Sequence, residues 1–235
     1  LNLANIGQDT ATYAISLSEI RMTEAGSFES ITEPDEGQQF ASPYLRYFPR
    51  SVTLGPNEAQ TVKIQLVRSG TLEPGEYRSH LYFRAVPEAK PLGEEEDTVP
   101  DPTAISVKLI PIFGITIPVI IRVGQPTVRV TLSDMALTFV NDTLPRVRVT
   151  FNRSGNFSVY GDLAVDHVSD QGKRTRVGAA NGFAVYTPNA RRDFELSLAV
   201  LPGIDYSSGR LILTYSAPSD VKPEKFAEAE LLLNR

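Results

Sequence analysis

The sequence predicts an all-β protein built from two antiparallel β-sandwich domains, and three observations support that prediction. Apolar residues recur at every second position in many short segments, which is the period of side chains along a strand. Glycine and proline occur 16 and 17 times and separate those segments as turns. Convincing helix signatures are nearly absent.

Composition limits the classes of protein that the chain can belong to. Its 235 residues suffice for the cores of one large or two medium domains, and 41% apolar with 22% charged residues is typical of a globular protein. The net charge of -5 argues against nucleic acid as the main partner, because phosphate binding requires a basic surface. The absence of cysteine excludes disulfides, zinc thiolate sites and thiol catalysis.

Membrane segments are not expected either. No uninterrupted apolar run reaches the roughly 18 residues that a membrane helix needs. The chain starts without a charged and then apolar leader, so we expect that a signal peptide was removed or never existed.

Alternating segments and turns follow one another through the first half of the chain. Strands are predicted at residues 1–7, 12–22, 44–54, 60–67 and 75–86. Residues 23–39 are polar and acidic, which predicts a loop with one short strand at most. Residues 87–102 are rich in acids and prolines and predict a surface loop, because their carboxylates lack the spacing of a calcium-binding EF-hand.

The most informative segment is residues 105–123, in which every odd position is apolar. This period of two places a long apolar stripe on one face of a strand. Pro111 and Pro118 cannot donate hydrogen bonds to a neighbouring strand, which favours a place at the edge of a sheet. An apolar edge is an aggregation hazard, so either the fold covers it or the edge pairs with another chain.

Gly124-Gln125-Pro126 is the predicted linker between a first domain of residues 1–123 and a second domain of residues 127–235. After the linker come about seven or eight short alternating segments with turns between them, the pattern of an antiparallel sandwich. The final segment, from Phe226, could form a short helix, but a closing strand is the better prediction.

Three segments follow one another in the first half of the chain: RYFPRSVTLGPNEAQTVKIQL from Arg46, GEYRSHLYFRAVP from Gly75 and ITIPVIIRVGQP from Ile115. Their order and spacing resemble the first domain of the periplasmic chaperones of chaperone–usher pilus assembly. The resemblance covers residues 1–126 well and the second domain mainly by architecture. By this comparison the family's first strand is missing from the chain.

The resemblance implies a fold, a location and partners. Members of that family consist of two immunoglobulin-like sandwiches in an L or boomerang arrangement. They act in the periplasm, bind pilin or fimbrial subunits by donor-strand complementation and deliver them to an outer-membrane usher. We expect no enzyme activity, cofactor or metal. The subunit-binding residues implied for this chain are Val107, Leu109, Pro111, Phe113, Ile115, Ile117 and Arg78.

The family also has an interdomain salt bridge of three charged residues. Alignment of the strand ends carries these to Glu76, Arg122 and, more loosely, Asp205. The alternative is three unrelated surface charges, each contributing little.

The chain departs from the family at the anchor for the subunit's terminal carboxylate. The Arg of the family's first strand has no counterpart, and the family's Lys falls near Pro118. Arg78 and His80 share strand parity with Glu76 and are candidate substitutes.

Other classes of function remain as alternatives. Catalysis is not expected, because the two histidines, His80 and His167, lie outside any nucleophile–base or metal-binding motif. A cell-surface adhesive or structural protein of tandem immunoglobulin-like domains stays open, as does self-association through the edge strand. A carbohydrate-binding module is disfavoured because the chain has no Trp and its nine Tyr are scattered.

Overall fold

The structure is a computed structural model, and it describes residues 1–87, 111–218 and 224–233. Most of the predicted acidic loop, and Val107 and Leu109 of the apolar stripe, lie outside the described residues.

The described residues form strands and two short 3-10 helices but no α-helix, so the all-β prediction is confirmed. The strands before the predicted linker are β1 (Asn2–Ala4), β2 (Ala11–Ser18), β3 (Ile20–Met22), β4 (Phe28–Ser30), β5 (Leu45–Phe48), β6 (Ser51–Leu54), β7 (Ala59–Thr61), β8 (Lys63–Leu66), β9 (Gly75–Val86) and β10 (Gly114–Val123). The strands after it are β11 (Arg129–Val140), β12 (Leu144–Ser154), β13 (Val159–Val168), β14 (Arg174–Val185), β15 (Arg191–Ser197), β16 (Arg210–Ser216) and β17 (Lys225–Leu232). The 3-10 helices are Ser42–Tyr44 and Ser69–Thr71. None of the helices in the described ranges is long and apolar enough to cross a membrane.

Contacts between residues divide the chain into two compact units. The first unit takes the described parts of Leu1–Glu19, Phe40–Leu72 and Arg78–Ile120, and the second takes those of Ile20–Gln39, Glu73–Tyr77 and Ile121–Arg235. Residues 20–39 and 73–77 therefore pack with the second half of the chain, which the sequence did not indicate. The linker at 124–126 stays a prediction.

The second unit is a sandwich of two antiparallel sheets, as predicted. One sheet has the order β11-β12-β15 and the other the order β14-β13-β16-β17. This division of seven strands is that of an immunoglobulin-like sandwich. Alternate residues of the central strands point between the sheets and are fully buried, as the period of two predicts. They include Val147, Val149 and Phe151 on β12, Leu163 and Val165 on β13, and Leu211, Leu213 and Tyr215 on β16.

Three aromatic rings lie at the centre of this core. The ring centroid of Phe151 lies 4.3 Å from that of Phe183 and 5.1 Å from that of Tyr215. The buried hydroxyl of Tyr215 donates a 2.8 Å hydrogen bond to the carbonyl oxygen of Phe183. Burial raises the pKa of Tyr215 well above its usual value. The phenol therefore stays neutral and the core holds no unpaired charge.

The first unit has a smaller core under the sheet of order β10-β9-β2-β6. Ile15, Leu81 and Phe83 of this sheet pack against Val52 and against Val62, which is fully buried between β7 and β8. The two strands beside Val62 belong to separate two-stranded sheets, β1-β7 and β5-β8.

Within the second unit, the segment 20–39 forms the hairpin β3-β4 and packs against residues 186–193. The side-chain amide of Asn189 donates a 2.7 Å hydrogen bond to the carbonyl oxygen of Met22, and the backbone N–H of Asp193 donates one of 2.8 Å to that of Glu24. The ring of Phe28 lies 6.3 Å from that of Tyr186.

We predict that Asn189→Ala loosens this hairpin, because the carbonyl of Met22 loses its donor and one hydrogen bond contributes about 1 kcal/mol. Limited proteolysis should show cleavage between residues 23 and 37 several-fold faster than in the parent. Asn181→Ala, at an exposed position of β14, is the matched control and should leave cleavage unchanged. Equal rates in both variants would contradict the prediction.

Candidate functional site

The first candidate site is β10, the terminal strand of its sheet. Within the described residues, β10 is bordered by β9 on one side and by no strand on the other. Pro118 lies in this strand, where its missing N–H removes no bond to a second neighbour. The predicted place of this segment at a sheet edge is therefore confirmed for the described residues.

The beginning of this edge exposes large apolar side chains. Phe113 is 73% exposed and Ile115 60% exposed, although the backbone there is already held in the sheet. The backbone N–H of Ala85 donates a 2.8 Å hydrogen bond to the carbonyl oxygen of Phe113. The edge is thus ordered as a strand while its side chains lie in solvent.

Further along the same face, the stripe is part of the core. Ile117 and Val119 share parity with Phe113 and Ile115, and they pack against the core of the first unit. The stripe is therefore divided: Ile117, one of the implied subunit-binding residues, is half-buried in its own unit, and Phe113 and Ile115 continue the face beyond the core. Pro111 is exposed.

Gly114 lies on the opposite face of β10 from Phe113 and Ile115, close to the ring of Tyr82. A Cβ at Gly114 would clash with the ring of Tyr82, which covers that position from β9. The absence of a side chain at residue 114 allows this ring to approach the backbone closely. One face of the edge is thus covered by Tyr82, and the other presents Phe113 and Ile115.

Arg78 and His80 lie on β9 and are both buried, 3% exposed each. Burial, with a further contribution from the positive charge of Arg78, lowers the pKa of His80 to about 4. The imidazole is therefore neutral at pH 7. Neither residue lies on the protein surface.

The second candidate site surrounds Glu76 in the second unit, where its carboxylate is fully buried. One oxygen accepts from Arg122 Nε at 3.0 Å and from the backbone N–H of Ser158 at 2.8 Å. The other accepts from the hydroxyl of Thr187 at 3.2 Å and makes a short bond with the hydroxyl of Ser158. Four donors therefore compensate the desolvation of this carboxylate.

Arg122 links Glu76 to the loop that precedes β13. Its Nη2 donates a 2.9 Å hydrogen bond to the carbonyl oxygen of Ser158, and the guanidinium carbon lies 5.4 Å from the ring centre of Phe157. The structure thus brings Glu76 and Arg122 together.

Asp205, the third residue of the predicted bridge, makes its hydrogen bonds elsewhere. Its carboxylate accepts from the backbone N–H and the hydroxyl of Ser207, at 2.8 and 2.7 Å. These bonds hold the pKa of Asp205 below its usual value. In the described residues, its hydrogen bonds stabilise its own turn and involve neither Glu76 nor Arg122.

Arg153 is a further charged residue of this site, and no sequence pattern singles it out. The buried guanidinium donates to the carbonyl oxygens of Asn189 and Gly155 at 2.8 Å each, of Phe157 at 3.0 Å and of Pro188 at 3.3 Å. Burial lowers the pKa of Arg153, and the negative charge of Glu76 opposes that shift. Arg153 holds the loop before β13 against the turn before β15.

Two solved structures are similar to this chain over almost its whole length. No protein-family model and no curated protein matches the chain. Among solved structures it is similar to the CupB2 chaperone of Pseudomonas aeruginosa, with 13% identity and a TM-score of 0.44 over 99% of this chain and 91% of that one. It is also similar to the E. coli chaperone DraB, with 13% identity and a TM-score of 0.45 over 98% and 86% of the two chains. Likeness at this level establishes neither family nor function, so function rests on the residues described above.

We predict that Glu76→Ala destabilises the second unit, because it leaves the buried donors of Ser158 and Thr187 without their acceptor, at a cost of about 1–3 kcal/mol for a buried donor left unsatisfied. The side chain of Arg122 is 45% exposed, so water can replace part of what it loses. Urea unfolding and hydrogen exchange of the Ser158 amide measure the effect. Glu73→Ala removes an exposed carboxylate three residues away and is the matched control. The network would have no stabilising role if both variants unfolded at the same urea concentration.

A pH effect follows from His80. Its folded pKa of about 4 lies below its ordinary value of 6.5, so on acidification the unfolded chain binds the proton first. Neutral His80 therefore contributes fully to stability above its unfolded pKa of 6.5, and this contribution is lost as the pH falls from 6.5 towards about 4. We expect the free energy of unfolding to decrease between pH 7 and 5, and His80→Gln to reduce that decrease.

Proton NMR provides a direct measurement, because the chain has two histidines. The resonance assigned to His80 by comparison with His80→Gln should not titrate between pH 7 and 5. A midpoint near 6.5 for that resonance would contradict a neutral buried imidazole.

Proposed function

We propose that this protein is a periplasmic chaperone that binds incomplete pilin or fimbrial subunits through its β10 edge and delivers them to an outer-membrane usher. The observation that supports this most directly is the divided stripe of β10. Ile117 and Val119 anchor the strand in its own unit, while Phe113 and Ile115 lie exposed on the same face.

This arrangement suits a subunit that lacks one strand of its sandwich. Such a subunit exposes a hydrophobic groove and two unpaired strand edges. The backbone of β10 can complete the missing ladder and supply affinity that does not depend on sequence. Phe113 and Ile115, two residues apart, can enter successive pockets of the groove and fix the register, because a shift by one residue would turn both side chains away.

The size of the exposed side chains indicates how much they contribute. Burial of one side chain of this size contributes about 1.5–3 kcal/mol, so the two together outweigh a typical exposed ion pair of at most about 1 kcal/mol. The anchored residues Ile117 and Val119 add to the same function indirectly, because they hold the strand in place before the subunit binds.

The order of strand and turn segments between Arg46 and Pro126, which resembles the chaperone–usher family, supports the choice of pilin as the partner. It is also the basis for placing the protein in the periplasm. We do not include Arg78 among the subunit-binding residues, because this residue of β9 is only 3% exposed.

We predict that the double variant Phe113→Glu and Ile115→Glu loses subunit binding by more than about a hundredfold, because neither carboxylate can enter an apolar pocket. The test is pull-down of a co-expressed fimbrial subunit encoded beside the gene. Phe48→Glu is the matched control, because Phe48 is 72% exposed on another strand of the same unit.

Thermal unfolding of each variant serves as the folding control. Both exposed sites should tolerate glutamate without a large loss of stability. Normal capture of the subunit by the folded double variant would refute the proposal, as would equal losses in the double variant and in Phe48→Glu.

A further inference from the structure

A polar cleft of about 630 Å³ opens in the first unit beside β2 and β5, away from β10. Arg46 and Arg50 line it together with the hydroxyl residues Ser16 and Ser42 and the ring of Tyr47. The described lining residues include no carboxylate. Two positive charges therefore meet in one cleft of a chain whose net charge is -5.

Both guanidinium groups have N–H donors that make no hydrogen bond within the described residues. Arg46 is exposed and makes no side-chain hydrogen bond or ion pair within the described residues. Arg50 donates one 3.3 Å hydrogen bond, from Nη1 to the hydroxyl of Tyr47, and its guanidinium carbon lies 5.0 Å from the centre of that ring. The ring contact orients Arg50 and leaves its remaining N–H groups available.

The wall between these charges is fixed in place. The hydroxyl of Tyr47 donates a 3.3 Å hydrogen bond to the carbonyl oxygen of Ile15, which ties β5 to β2. The backbone N–H of Ser42 donates a 2.8 Å bond to the hydroxyl oxygen of Ser79. The hydroxyl groups of Ser16 and Ser42 make no hydrogen bond in the part of the chain that the structure describes, so both can donate to a ligand.

We propose that this cleft binds a small multivalent oxyanion of the phosphate or sulfate class. A guanidinium presents paired N–H donors that match the oxygens of such an anion, and charge-assisted bonds of this kind are about twice as strong as neutral ones. Arg46 and Arg50 supply the charge, and Ser16 and Ser42 supply neutral donors. The site is separate from the subunit-binding edge and does not depend on that proposal.

The test is a titration of the full ¹⁵N-labelled chain with sulfate, and then with inorganic phosphate, followed by NMR at constant ionic strength with chloride as the balancing anion. We expect saturable shifts of the Ser16, Ser42 and Tyr47 amides and of the Arg46 and Arg50 side-chain Nε resonances. Arg46→Gln should weaken binding by about tenfold or more, the equivalent of one charge-assisted bond. Arg84→Gln, which removes an exposed charge from β9 of the same unit, should bind sulfate as the parent does.

Arg50→Lys is a second variant that keeps the charge but removes the planar fork, and it should weaken binding by several-fold. The amide spectrum of each variant reports whether it is folded. Shifts that do not saturate, an equal loss in Arg46→Gln and Arg84→Gln, or acetate binding as tightly as sulfate would each overturn the proposal.

Discussion

The buried carboxylate of Glu76 is the constraint on which the second unit depends. An ionised carboxylate in a dry interior is strongly destabilising unless hydrogen bonds surround it, so its four donors have to be in place together. Those donors come from Arg122, Ser158 and Thr187, which lie on different elements. Arg153 secures the same loop and turn through backbone carbonyls alone. One carboxylate and two arginines therefore join four separate stretches of chain: those of Glu76, Arg122, residues 153–158 and residues 187–189.

The β10 edge shows how one alternating pattern can serve two purposes. The residues at its end, Ile117 and Val119, contribute to the core and hold the strand. Those at its beginning, Phe113 and Ile115, have the same chemistry but are largely exposed. Alternate residues of a strand point to the same face of the sheet. The packing of Ile117 and Val119 therefore also fixes the face on which Phe113 and Ile115 lie. No additional structure is needed to orient it.

Strands and their faces could be predicted from the sequence, but long-range contacts could not. Alternation indicated β10 and β12 because one face of each strand is more buried than the other, and burial selects for the period of two. It could not separate Phe113 from Ile117, since both are apolar and differ in what lies opposite. Glu76 and Arg122 were indicated only through a family resemblance.

The remaining partners of Glu76 left no signal in the sequence. Ser158 and Thr187 are common residue types, and nothing local shows that they face a carboxylate. Residues 20–39 have the composition of a surface loop, and their packing against residues 186–193 depends on partners distant in the chain. That packing has to wait for synthesis: 167 residues separate Met22 from Asn189, which is roughly ten to thirty seconds of translation. During that interval residues 20–39 lack their packing partner, so a holdase or a protease can reach them before the second unit closes.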